Sequence, residues 1–143
     1  MLRDRRFERG QGVVEFALAS TILFVVIFGI IDFGRAFYTF DLITSAARIG
    51  SRYAIVHGSS CTLAICPVSS AAIQTYVQSQ VTGINTSELT VSASWSTAPG
   101  CTDTNHQGPL CLVTVTASYP FKFVLAFNKT MTMSASSQMT ISQ

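Results

Sequence analysis

The sequence predicts an α+β fold in which a long N-terminal helix, membrane-embedded at first and amphipathic later, packs on a small antiparallel sheet beside a second, short helix. Three observations carry this expectation. From Phe16 to Ile31 no residue is charged, and apolar residues then continue at helical spacing without a break. Further on, the apolar period changes to two in three separate segments. Four cysteines, Cys61, Cys66, Cys101 and Cys111, fall outside the periodic segments, where they can staple a small core.

Extended back through Gly12, the first apolar stretch reaches twenty residues with one acid, Glu15, inside it. As a helix it is long enough for a hydrocarbon core of about 30 Å. An ionisable side chain there costs about 2.5–3.5 kcal/mol at the bilayer centre, less near an interface, and normally has a partner. The residues ahead of the stretch hold Arg3, Arg5, Arg6 and Arg9 against Asp4 and Glu8, which accounts for the net charge of +2. Such a basic flank keeps an N-terminus in the cytoplasm while the apolar segment behind it crosses the membrane. After Gly10 the charges balance: Arg35, Arg48, Arg52, Lys122 and Lys129 face Glu15, Asp32, Asp41, Glu88 and Asp103. No basic surface is left to suggest nucleic acid as a partner. Charged residues make up only 11% of the chain, against roughly 25% in soluble domains, which suits a life partly in lipid and partly in a low-charge assembly.

Beyond Asp32, residues Ala36, Phe40, Ile43, Ala47, Gly50 and Ala54 follow one helical face, and Asp41, Ser45, Arg48 and Arg52 the opposite one. A single helix from about Gly12 to Val56, ending at His57-Gly58, is the economical reading. Its small residues Ala46, Gly50 and Ala54 permit close approach by a neighbouring element, or simply fill a crowded core. Ser69 or Ser70 can cap a second helix whose Ile73, Val77 and Val81 form an apolar edge closed by Gly83. Three alternating segments follow: Leu89 to Trp95, Val113 to Tyr119, and Met131 to Ile141. Three strands apolar on one side need a cover, and the amphipathic half of the long helix supplies it. The run Phe121-Lys122-Phe123-Val124-Leu125-Ala126-Phe127 is more apolar than one strand face can bury. It is either a contact surface or local core folded over the end of the sheet.

The four cysteines allow three pairings, and oxidation is the default beyond an inner membrane. Cys101 and Cys111 flank a polar loop between consecutive strands, so a bridge between them would close a hairpin end; Cys61 and Cys66 would then close a small loop. The alternative, a zinc site using these thiols with His57 and His106, lacks the paired short spacings of structural sites. No nucleophile elbow, phosphate-cradling glycine loop or HExxH pair is present. His106 near Asp103 in a polar loop is more often solvated than a general base. The sequence therefore predicts neither an enzyme nor a cofactor.

The run Arg9-Gly10-Gln11-Gly12-Val13-Val14-Glu15-Phe16 resembles the prepilin peptidase site of type IV pilins: a Gly before the cut, Glu at the fifth position after it, and an aromatic next. With Ala46-Ala47-Arg48-Ile49-Gly50-Ser51-Arg52-Tyr53-Ala54 and Val115 to Phe121 (VTASYPF), it resembles TadE-like pseudopilins, minor pilins of the tight-adherence (Flp) type IV pilus. Ile49 stands where an acid is expected in many relatives, so no role of an acid there carries over. The resemblance implies residues 1–10 as a cleaved cytoplasmic leader, 11–57 as the N-terminal helix (transmembrane about 12–31, amphipathic about 32–57) and 58–143 as an extracytoplasmic α+β domain. It implies cleavage between Gly10 and Gln11, and assembly through Glu15 and Phe16. The implied partners are the prepilin peptidase, other pilins and pseudopilins, the inner-membrane assembly platform and membrane lipid. The implied location is the inner membrane, crossed once with the N-terminus inside, and then the pilus. The rival expectations are a signal anchor left uncut, or a secreted binding module cut after Gly34-Arg35-Ala36.

Overall fold

A computed structural model describes residues 5–124 and 129–142, with side chains from Gly10 onward. Met1 to Asp4, Gln143 and the stretch Leu125 to Asn128, with Leu125, Ala126 and Phe127 of the apolar run, lie outside the described residues. Helix α1, Arg5–Val56, is unbroken over 52 residues, about 78 Å at 1.5 Å per residue. It begins before Gly12, the expected start. Arg, Glu and Phe all tolerate helix, and Gly10 and Gly12 weaken it by about 1 kcal/mol each without ending it.

The second half of α1 buries Asp32, Thr39, Ile43, Ala46, Ala47, Gly50, Ser51 and Ala54. Phe40, expected on this face, is exposed and Thr39 takes its place. A helix of 3.6 residues per turn keeps to one line by alternating steps of four and three. From Asp32 and Ala36 that line passes through residue 39 to Ile43. Asp41, Ser45, Arg48 and Arg52 are exposed, as the polar face requires.

Helix α2, Ser70–Gln80, is capped by the Ser69 hydroxyl, which accepts the Ala72 N–H at 3.2 Å. It buries Ile73 and Val77. Strands β1 (Thr90–Ser96), β2 (Leu112–Lys122) and β3 (Thr130–Thr140) form one antiparallel sheet in that order. Val91 pairs with Ala117, Trp95 with Val113, Ala117 with Ala135, and Tyr119 with Met133. The register puts Val91, Val113, Val115, Ala117, Phe121 and Met133 on the inner face, where they join Ile43, Ile73, Val77 and Ile141 in one core. The outer face carries Ser92, Ser94, Ser134, Ser136 and Gln138 in water. The fold is thus the predicted α+β arrangement, a long helix and a short one covering a three-stranded sheet.

The β2–β3 hairpin lies along the second half of α1 and is tied to it at both ends. At one end the Ser142 backbone N–H and hydroxyl donate to the Ile55 carbonyl at 3.2 and 3.1 Å. At the other, the Val124 N–H donates to Asp32. The lengths agree: the helix rises about 35 Å between Asp32 and Ile55, and strands of 11 residues extend about 36 Å.

Candidate functional site

In the first half of α1 the side chains from Val13 to Ile31 cover no core. Val13, Phe16, Ile22, Phe24 and Ile30 are all exposed. This stretch is long and apolar enough to cross a membrane, and none of its most apolar part is buried against the rest of the chain. A soluble domain gains nothing by exposing such a surface, so the helix fits a membrane anchor. The hydroxyls of Ser20 and Thr21 donate to the Ala17 carbonyl, at 3.1 and 2.8 Å, and so take no polarity outward.

Gly10, Gln11, Glu15 and Phe16 all sit on this helix and are exposed. Gln11 and Glu15 are one turn apart and share a face. Gly10 lies inside the helix, and among the described residues a Cβ added there would meet nothing within 4 Å. Packing against the described residues gives no reason for a glycine at that position.

Where α1 leaves its exposed stretch, Asp32 is only 5% exposed. Its carboxylate accepts the Val124 N–H at 2.9 Å on Oδ2 and 3.2 Å on Oδ1. It also accepts Arg35 Nη1 at 3.1 Å. Arg35 in turn lies 5.5 Å from the ring centre of Phe121, over its face. Phe121 is buried and meets Phe123 edge-on at 5.0 Å between ring centres. This part of the apolar run is therefore local core, while Val124 points outward. In the sequence, Asp32 does no more than mark the end of the apolar stretch. Its partner is 92 residues away in the chain, and no local pattern announces such a pair.

The opposite end of the domain holds the cysteines. Cys101 is joined to Cys111 and Cys61 to Cys66, so no thiol is left for the zinc alternative. Among the described residues no group of His, Cys, Asp and Glu side chains is arranged to hold a metal ion. The segment leading into the first stapled loop touches the second, the Ser59 N–H donating to the Gln107 carbonyl at 2.8 Å. Partial burial raises the pKa of Asp103, but hydrogen bonds outweigh it: the Gln107 and Asn105 N–H groups, then the Ser59 hydroxyl and the Gly108 N–H, hold it below the ordinary carboxyl value. His106 Nδ1 lies 3.8 Å from the Cys101 sulfur. Its neighbours are a turn and a disulfide, with no nucleophile beside it.

The surface most exposed and least explained by folding is thus the front of α1. Residues 10–52 match the family model of TadE-like proteins. The match opens at Gly10 and covers α1 almost to its end, so the TadE-like part of the chain is the exposed apolar helix together with the half that packs on the sheet. The disulfide-stapled sheet domain lies outside it. No curated protein and no solved structure matches the chain. A TadE-like segment suggests a protein associated with the tight-adherence (Tad) pilus, and the family is structural rather than enzymatic.

Proposed function

We propose that this chain is a minor pilin or pseudopilin of a tight-adherence pilus, a structural subunit without catalytic activity. On this reading it inserts in the inner membrane with its N-terminus inside and is cut after Gly10 by the prepilin peptidase. It then joins other pilins and pseudopilins through the N-terminal helix, on the inner-membrane platform, to build or prime a pilus that holds cells to surfaces. The observation that carries the reading is the coincidence, on one exposed helical stretch, of the TadE-like match opening at Gly10, the membrane-length apolar surface, and Glu15 as the one acid within residues 12–31.

The chemistry divides the roles. A peptidase must bring the backbone on both sides of the cut close to its catalytic groups, and a residue without a side chain before the bond permits that approach. Cutting removes the arginines of the leader and frees an amine at Gln11, a positive group where none existed. A carboxylate buried among packed helices is costly unless paired, and this amine, one turn from Glu15 or on a neighbouring subunit, is its natural partner. Only cut subunits would then fit. N-terminal sequencing of the membrane-extracted protein tests the reading: a chain beginning at Gln11 supports it, while an intact Met1 indicates an anchor and Phe37 a secreted domain. Gly10→Val should leave the precursor uncut. Glu15→Ala should be cut almost normally yet stay in the membrane fraction; its presence in pili at the wild-type level would overturn the role given to Glu15.

A further inference from the structure

We propose that the free edge of β3, from Thr132 to Thr140, docks one extended strand of another protein, uncharged and apolar at every second residue. The sheet has two edges, and the chain covers one of them. Along β1 the Ser70 hydroxyl accepts the outward Ala93 N–H at 2.9 Å, and Gln78 Nε2 donates to the Leu89 carbonyl at 2.9 Å, so α2 occupies that edge. At the two ends of β3, the Ile141 N–H donates to the Cys111 carbonyl and the Lys129 carbonyl accepts the Phe123 N–H. An antiparallel ladder alternates, so the odd-numbered residues between them bond to β2. Thr132, Ser134, Ser136 and Gln138 therefore turn their N–H and C=O groups to the free edge. Among the described residues none of these main-chain groups has a hydrogen-bond partner. Sheet edges are usually blunted by lysine, proline, a bulge or an overlying element, because an open edge pairs with strands it meets. From Thr130 to Thr140 there is no charge and no proline, and the register with β2 is unbroken.

The helix above this edge says what kind of strand fits. Phe33, Phe40 and Ser51 are two and then three turns apart, on one line of α1. One end of the line touches β3, where the Ser51 and Ser137 hydroxyls lie 2.9 Å apart. At the other, Phe33 lines an apolar groove with Met131 and Met133. Phe33 is 72% exposed, and Phe40 and Met131 are each 49% exposed. A strand added to β3 passes under this line, so the side chains on that face are apolar and those on the other, beside Ser134 and Ser136, are polar. Because β3 offers no charge in return, a charged strand would lose hydration there without gaining a partner.

That the strand comes from another protein rests on reading α1 as a membrane span. The ties at Asp32 and Ile55 hold β3 along α1. An antiparallel pair of β3 strands would thus set two α1 helices head to tail, which two chains anchored in one membrane cannot do. A parallel pair, with its slanted bonds, has no two-fold axis to close a dimer.

The test follows amide hydrogen exchange, residue by residue, in the full chain inserted in lipid nanodiscs. The strand is a capped peptide, KTVTVSVTK, whose end lysines serve solubility only. Without peptide, the amides of Thr132, Ser134, Ser136 and Gln138 should exchange fast and those of Met133, Ala135 and Ser137 slowly. Peptide at about ten times its dissociation constant should slow the first set about tenfold and leave the second unchanged. Ser136→Pro removes an outward N–H and no bond to β2, and should abolish the effect. A peptide with proline at its centre should also have none, which keeps the test decisive if Ser136→Pro disturbs the fold. Edge amides that are slow from the start overturn the proposal. So does slowing by the proline peptide, or none at any soluble concentration of KTVTVSVTK. Slowing that rises with the number of chains per nanodisc gives the edge to a second copy and overturns it too. A chain that stays soluble without lipid overturns the span reading and with it the choice of occupant, whereas unprotected edge amides in an inserted chain overturn the proposal alone.

Discussion

At Gly50 the backbone of α1 is itself the packing surface. A Cβ there would lie 2.8 Å from Val115 Cγ1, 3.2 Å from Val77 Cγ2 and 3.3 Å from Ile73 Cγ2, so both the sheet and α2 close on this one position. All three neighbours are fully buried and β-branched, with little room to turn away. Overpacking of this kind costs about 1–3 kcal/mol, and the helix gains back up to about 1 kcal/mol when glycine becomes alanine. Gly50→Ala should thus lower stability by about 1–2 kcal/mol, read from the midpoint of denaturant unfolding. Asp103 governs a different response. Its carboxyl titrates below the ordinary value of 3.8 in the folded chain, so its contribution is complete above that value and is lost as pH falls through the lower, folded pKa. The Gln107 amide resonance should move at a lower pH than it would beside an ordinary carboxyl group, and Asp103→Asn should remove that movement. Single residues were only partly legible in the sequence. The polar face of α1 and the cap at Ser69 could be read because they depend on neighbours within one turn. The hydroxyl contact of buried Ser51 with half-buried Ser137, 2.9 Å, and the Asp32–Val124 bond depend on contacts across the fold.

The two helices and three strands were legible because each carries its own period. The structure places them close to the expected residues, with the start of α1 the main difference. A period of 3.6 cannot show where a helix begins when no strong breaker stands in front of it. On the proposed reading, the difference bears on processing. A peptide bond inside a helix is shielded by its neighbouring turns and must unwind before a peptidase can hold it in extended form. On the proposed reading, the glycines on either side of Gln11 keep this stretch easy to open. Gly12→Ala, whose added Cβ meets none of the described residues within 4 Å, would strengthen the helix by about 1 kcal/mol, roughly a fivefold smaller open population. Cleavage after Gly10 should slow by about that factor, measured as precursor remaining in a pulse-chase, with membrane insertion unchanged. An unaltered rate would mean that the bond is presented in some way other than by unwinding this turn.

Across the whole molecule, the fold class and the helix as cover of the sheet could be read from the sequence, but the alignment of the hairpin along the helix could not, because the ties at Asp32 and Ile55 depend on residues far apart in the chain. The Asp32 tie includes hydrogen bonds to a charged acceptor, each worth about 1.5–3 kcal/mol. Asp32→Ala should therefore free the turn at Val124 while leaving the core of Ile43, Val77 and Val115 intact. Hydrogen exchange would show the Val124 amide losing protection and the amides of β1 keeping theirs; equal loss in both would mean that the tie supports the whole fold. The hairpin lies along α1 between two cross-links, at Asp32 and at Ile55, and this gives the protein a mechanical character. A pull along the helix loads the two attachments and the packed interface together, in shear, so that many contacts must slide at once before any separates. A sideways pull would open the same interface one contact at a time, like a zip. The domain is built to resist tension along its own length far better than across it.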